Sequence, residues 1–340
     1  MALLEVRNLC TCFQTEKGIV RAVAGVSYTL DRAKTLGIVG ESGSGKSVSA
    51  MSILRLLDAN GSVENGEILF DRQDLMTIGE AQLRRIRGNR ISVIFQEPMT
   101  SLNPVFTVGR QLSEPYRIHQ KMPRRRALAA AEEMLAAVHI PSPRTMLTQY
   151  PHQLSGGMRQ RVMIAMALAC RPDVLIADEP TTALDVTVQA QILALMKQLQ
   201  RERGTAILFI SHDLGVIREM ADDVVVMYCG QVVEQVSCDR LFSEDGVMHP
   251  YTEGLMRAIP RVSGKGKEPL IPIPGAVPHL LSLPSGCRFA PRCPYATARC
   301  QADAPALLEV RDGRRVRCHY PTKEERQGEE HRKAIVNPPS

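Results

Sequence analysis

The eight residues Gly40-Glu41-Ser42-Gly43-Ser44-Gly45-Lys46-Ser47 restrict what this chain can become more than any other stretch. They fit the spacing G-x-x-x-x-G-K-[ST], in which a glycine-rich turn aims backbone N–H groups inward at phosphate oxygens. The motif works only between a strand and a helix, and the flanks supply both. Residues 36–39 are a short apolar run that reads as a buried strand, and residues 48–57 carry apolar side chains at helical spacing. Such a helix points its positive N-terminus at the phosphates, Lys46 reaches the terminal ones, and the Ser47 hydroxyl is a ligand for Mg²⁺. A plain serine- and glycine-rich surface loop would leave the lysine, the hydroxyl and both flanks as coincidences.

At 340 residues the chain is long enough for two domains, or one large domain with an appendage. Hydrophobic residues at 44% and charged ones at 23% are those of a globular protein rather than a disordered one. The net charge of +6 gathers partly in residues 84–90 and 124–126, where helices are expected. These runs read as solvated faces, and with aromatics at only 4% they lack the interleaving that nucleic acid would favour. No apolar stretch approaches the roughly eighteen residues of a membrane span, and residues 1–9 do not read as a signal peptide. The expected compartment is therefore the cytoplasm. Nine cysteines in a reducing compartment point away from disulfides and, where they cluster, toward a metal.

Along the chain, Leu4, Val6, Leu9, Val26, Tyr28 and Leu30 alternate as half-buried strands do, so a β-rich opening precedes the phosphate loop. Phe13 stands among polar residues, where it either fills the core or offers its face to a base. Residues 66–71 and 91–95 read as strands, the second ending at Gln96. From residue 97 to about 171 the texture is helical, most clearly at 124–138. Within it, Leu154-Ser155-Gly156-Gly157-Met158 opens a helix, which is either a second anion site or an ordinary cap. Residues 174–177 are an apolar strand ending in Asp178 and Glu179, two carboxylates suited to holding Mg²⁺ and polarising an attacking water. Residues 187–203 form a helix, 206–210 a buried strand closed by Ser211-His212-Asp213, and 224–228 another strand. A regular α/β core is expected to end near Val236.

In this order the motifs resemble those of the ATP-binding cassette ATPases, over roughly residues 3–260. The match comprises the Walker A loop, Gln96 of the Q-loop, the signature at 154–158, Walker B ending at Asp178 and Glu179, Ala183-Leu184-Asp185 as the D-loop, and His212 as the switch histidine. The resemblance implies that Phe13 stacks on adenine, that Gly40 to Ser47 hold the phosphates, and that Ser47, Gln96 and Asp178 serve Mg²⁺. It assigns Glu179 as general base, with His212 and Lys46 acting on the γ-phosphate. It further implies a head-to-tail pair of cassettes, so that Ser155, Gly156, Gly157 and Asp185 act on ATP held by the partner. Met158 departs from the family's usual glutamine, yet Met158-Arg159-Gln160-Arg161 and the run from Phe95 to Pro104 look like the peptide-importer subgroup. That resemblance implies the ATPase subunit of a bacterial importer of dipeptides or oligopeptides, working with a second, different ATPase chain, two membrane permease subunits and, indirectly, a periplasmic or surface substrate-binding protein. Its place would be peripheral, on the cytoplasmic face of the inner membrane, with residues 97–120 docking the permeases. Glutathione or nickel-complex import and a soluble non-transport ATPase are the alternatives.

The expected fold is α/β: a P-loop core with an antiparallel β subdomain and an inserted helical subdomain, plus a small cysteine-rich C-terminal extension. The expected boundaries are 1–260 for the nucleotide-binding domain, with its helical part about 97–171, then 261–322 for the extension and 323–340 for a disordered tail. In the extension Cys287, Cys293, Cys300 and Cys318 have five, six and seventeen residues between them. Four thiolates suit zinc or an iron–sulfur cluster. The run from Gly286 to Tyr295 is similar to the C-terminal extension of peptide-importer ATPases, and that resemblance implies a [4Fe–4S] cluster on these four cysteines, with Zn²⁺ as the alternative.

Overall fold

The computed structural model describes residues 2–96, 101–182, 184–243, 248–259 and 272–326. In chain order the strands are β1 (Ala2–Thr15), β2 (Gly18–Asp31), β3 (Thr35–Val39), β4 (Gly61–Phe70), β5 (Gln73–Asp74), β6 (Ile91–Ile94), β7 (Val174–Asp178), β8 (Ala206–Ser211), β9 (Asp223–Tyr228), β10 (Gln231–Ser237), β11 (Leu308–Arg311) and β12 (Arg314–Val316). Two compact units share them. One gathers Met1–Glu5, Thr29–Thr35 and Ile68–Ile210, the other Val6–Tyr28, Leu36–Glu67 and Ser211–Ser340.

In the first unit β6, β7 and β8 run parallel, with Ile94 beside Ala177 and Asp178 beside Ile210. Every residue of β7 and β8 is buried, as continuous apolar runs in a parallel sheet require. The helical part supplies Val108–His119, Arg124–Ala137 and Gly156–Leu168, which pack on one another. Alanine lets two of them approach: Ala127 and Ala131 are fully buried in the contact face of Arg124–Ala137. The helix Val186–Arg203 buries Ile192, Leu195, Met196 and Leu199 at helical spacing and ends at Gly204 in the left-handed conformation.

In the second unit the parts of β1, β2 and β4 that belong to it lie in the order β2-β1-β4. The strand β3 pairs parallel with β9, which continues antiparallel into β10. The helix after the phosphate loop is Lys46–Ile53, shorter at its C-terminal end than the 48–57 expected. Its pattern continues, but Arg55 takes a positive φ of 50° and Leu56 N–H reaches back to Met51 O at 2.9 Å, so the chain turns away. The regular core also extends past Val236. The hairpin of β11 and β12 adds to the edge of β10, with Val316 beside Glu234. Of the expected tail, residues 327–340 lie outside the described residues, as do 261–271 of the expected extension and residue 260 of the expected nucleotide-binding domain. Arg326, within that tail, is buried. Among the described residues no helix is long and apolar enough to cross a membrane.

Candidate functional site

The strand β3 delivers the chain to Gly40, where no other residue fits: a Cβ there would lie 2.2 Å from Met227 O. Gly45 is equally constrained, at φ 94° with Ala22 O 2.4 Å from the place of a Cβ, and it opens the helix Lys46–Ile53. No side chain caps that helix and its first turn holds no acidic residue. Lys46 is 5% exposed and lies along the loop, its Nζ donating to Gly40 O at 2.7 Å and Glu41 O at 3.0 Å. Ser44 Oγ is buried with no hydrogen-bond partner among the described residues, while Ser42 and Gly43 form the exposed tip. A glycine cradle, a helix N-terminus without a side-chain cap and an ammonium folded back along the loop fit a polyphosphate, whose oxygens accept from such donors. In the same unit Phe13 is half-buried on β1, packed on the backbone at Gly61. His212 follows β8 and is exposed, and Asp213 next to it caps the helix Leu214–Met220 through Gly215 N–H at 2.7 Å.

In the other unit Asp178 ends β7 and is 4% exposed. Glu179 follows with φ 46°, a left-handed conformation that costs a non-glycine residue about 1 kcal/mol or more and recurs at functional sites. Its N–H donates to Ile210 O at 3.0 Å. Its Oε2 accepts from Gln96 Nε2 at 3.2 Å and from Thr182 Oγ1 at 2.9 Å, so Gln96, two residues past β6, and a threonine the sequence did not single out both orient this carboxylate. Ser155 is the N-cap of Gly156–Leu168, its Oγ accepting Met158 N–H at 3.3 Å, and Gly157 lies against Val188. Asp185 caps Val186–Arg203 through Val188 N–H at 2.9 Å. Ala183 of the D-loop and residues 97–100 of the expected docking surface lie outside the described residues. Further along that surface is a groove of about 870 Å³, lined by Arg110, Arg117, Arg124, Arg125 and Arg144 against a single carboxylate, Glu132.

The expected metal centre requires correction. Cys287, Cys293, Cys300 and Cys318 are free thiols that line one small cavity with Phe289 and Tyr295, yet no metal-holding group of His, Cys, Asp or Glu exists among the described residues. The cavity is about 20 Å³, room for roughly one water and not for an iron–sulfur cluster. Burial pushes three of these thiols up, Cys287 in direction, Cys293 to about 12 and Cys318 to about 11. Thr297 Oγ1 donates to Cys300 Sγ at 3.5 Å and Tyr320 N–H to Cys318 Sγ at 3.4 Å. Neither the [4Fe–4S] assignment nor its zinc alternative stands; the cysteines pack as small apolar groups.

Comparison with known proteins follows the same geometry. Residues 23–182 match the family described as ABC transporter, and residues 233–300 match the oligopeptide/dipeptide transporter C-terminal region. The chain is 51% identical over 317 residues to the oligopeptide transport ATP-binding protein AppD of Bacillus subtilis, covering 93% of this chain and 96% of that one. It is 49% identical over 321 residues to the dipeptide transport ATP-binding protein DppD of Escherichia coli, covering 94% and 97%. Among solved structures, a dimeric post-hydrolysis state of the ATP-binding cassette MJ0796 bound to ADP and Pi superposes with a TM-score of 0.63 at 27% identity, covering 69% of this chain and 98% of that one.

Proposed function

Because the chain belongs to the ATP-binding cassette transporter family, in its oligopeptide/dipeptide branch, we propose that it is the ATP-hydrolysing subunit of a bacterial importer of dipeptides or oligopeptides. The observation that carries the catalytic half of this reading is the phosphate loop, with Lys46 and the orphaned Ser44 hydroxyl turned into a glycine cradle before an uncapped helix. MgATP is the substrate. Phe13 stacks on adenine, and the backbone of Gly40 to Ser47 and Lys46 Nζ hold the phosphates. Ser47, Gln96 and Asp178 serve the Mg²⁺ that arrives with ATP, and His212 contacts the γ-phosphate. Glu179, held by Gln96 and Thr182, takes the proton of the attacking water. Ser155, Gly156, Gly157 and Asp185 act on the nucleotide of a second cassette, so charge on the γ-phosphate is stabilised from two chains.

The chain works with that second ATPase subunit and two permease subunits, and indirectly with a substrate-binding protein, as a peripheral subunit on the cytoplasmic face of the membrane. Residues 1–260 form the nucleotide-binding domain in this reading and 261–322 its C-terminal extension. The arginine groove supports 97–120 as part of the surface that meets the permeases, since it is concave, basic and large. Glu179→Gln in the assembled transporter tests the chemistry. ATP stays bound while turnover falls by about 10²- to 10⁴-fold, the usual contribution of a general base. Wild-type-like hydrolysis by the variant would remove Glu179 from that role.

A further inference from the structure

Glu41, the second residue of the phosphate loop, is where residues far along the chain reach that loop. Each of its polar functions is in use. Its N–H donates to the Tyr251 phenol oxygen at 2.7 Å, and its carbonyl accepts from Lys46 at 3.0 Å. Its carboxylate is gripped at both oxygens by Arg292, Nη1 to Oε2 at 2.6 Å and Nη2 to Oε1 at 3.0 Å. Such a fork fixes direction as well as distance. The Arg292 side chain is 4% exposed, and Nε donates to Pro274 O at 3.0 Å while Nη2 also reaches Ile273 O at 3.3 Å. Glu41 and the Tyr228 hydroxyl beside it hold the guanidinium charged despite burial.

A second tie reaches the loop nearby. Arg288 Nη1 donates to Cys229 O, and the next residue, Gly230, donates its N–H to Ser44 O at 2.9 Å. Phe289, between the two arginines, sits edge-on to Tyr228 at 5.3 Å and to Tyr251 at 5.5 Å between ring centres. Segment 273–292 therefore braces Glu41 directly and Ser44 through one residue. The brace matters because Lys46 must leave the loop carbonyls to meet phosphate. A loop held from outside keeps its cradle open through that exchange, and an unbraced one must be ordered by the nucleotide at the expense of affinity.

We propose that Arg292 is a positioning residue for the phosphate loop, through which the C-terminal segment sets the chain's affinity for nucleotide. The proposal rests on reading Gly40 to Ser47 as the ATP site. Its test is titration of the full-length chain with a fluorescent ATP analogue, alongside ATPase KM and kcat in the assembled transporter. Arg292→Met is expected to raise Kd and KM about tenfold while kcat at saturating ATP stays within about twofold. Arg292→Lys, a point charge without the fork, recovers part of the loss. Glu41→Gln raises Kd in the same direction, and the Glu41→Gln/Arg292→Met double variant is no weaker than Arg292→Met alone, as one shared interaction requires. An Arg292→Met Kd within about twofold of wild type, or effects that multiply in the double variant, overturns the proposal. If Arg292→Met does not fold, Glu41→Gln decides, and an unchanged Kd there overturns it as well. Failure of the wild-type chain to bind the analogue sinks the ATP-site reading instead.

Discussion

Two helices of this chain begin at motifs assigned to phosphate, and they begin in opposite ways. Lys46–Ile53 starts at a left-handed glycine with no side-chain cap among the described residues, and a lysine and a serine hydroxyl without a hydrogen-bond partner among them lie beside the opening. Gly156–Leu168 starts at Ser155, whose hydroxyl already accepts from Met158 N–H. Both are glycine- and serine-rich, both carry the helix dipole, and only one is open. A helix N-terminus is thus an anion site by what is withheld from it. The open end suits a chain's own nucleotide. The capped end is complete within its own chain, and its Ser155 hydroxyl still has an O–H to donate outward, as a group presented to another chain's nucleotide requires.

The largest expected effect separates these two ends. Lys46→Ala removes the ammonium that lies in the open cradle, and the chain's own ATP turnover should fall by at least about 10²-fold, comparable with loss of one preorganised charge-stabilising group. Ser155→Arg places bulk over the capped end. In the assembled transporter it should slow turnover about tenfold or more, while nucleotide binding by the isolated chain changes less than about twofold. Site-resolved nucleotide trapping in the transporter checks the pair. If both substitutions empty the same site, the head-to-tail arrangement is wrong.

Much of this was legible before any coordinates. The apolar runs that make up most of β3, β7 and β8 announce buried parallel strands because a strand covered on both faces has no polar side to alternate with. The loop and both carboxylates follow, since their spacing is local. What was not legible joins residues without a shared period. Arg292 lies 251 positions from Glu41 and Tyr251 lies 210 away, and the run from Gly286 to Tyr295 that contains Arg292 carries no sign of a partner in the phosphate loop. Thr182 carries no sequence signal of its own either, its role arising from the turn after Glu179. The cysteines failed in another way. Spacing reports which residue types recur, whereas a metal site needs ligands arranged to hold an ion, and no such group exists among the described residues.

A third N-terminus sharpens the comparison by making a cap depend on pH. His249 is 1% exposed and caps Pro250–Arg257 with neutral Nδ1, which accepts Tyr251 N–H at 3.1 Å. Burial, with Arg326 and Arg317 nearby, pushes its pKa down to about 3. The unfolded chain protonates this ring below about 6.5, so the cap's contribution is complete above that pH and is lost as pH falls toward the folded value. Buried Glu234, which accepts His249 N–H, has its pKa raised and acts in the opposite sense. The difference between wild type and His249→Asn cancels it. That stability difference in urea unfolding should shrink by about 2 kcal/mol between pH 8 and pH 5. A difference independent of pH would mean that the ring is not the titrating cap.

The smallest effect asks whether Ser155 is chiefly a cap. Asp185 provides the control, since it caps Val186–Arg203 in the same manner, with Oδ1 accepting Val188 N–H at 2.9 Å. Ser155→Ala and Asp185→Ala should each lower unfolding stability by about 1 kcal/mol, the ordinary worth of an N-cap. If capping were the whole role of Ser155, Ser155→Asp would restore both stability and turnover, because aspartate caps as well as serine. A hydroxyl that also donates to the partner's nucleotide gives a different result. Ser155→Asp then restores stability but leaves turnover low, since a carboxylate at that end has no proton to give and repels phosphate. Recovery of turnover along with stability would reduce the signature serine to a structural cap and leave the phosphate role to the open N-terminus at Gly45.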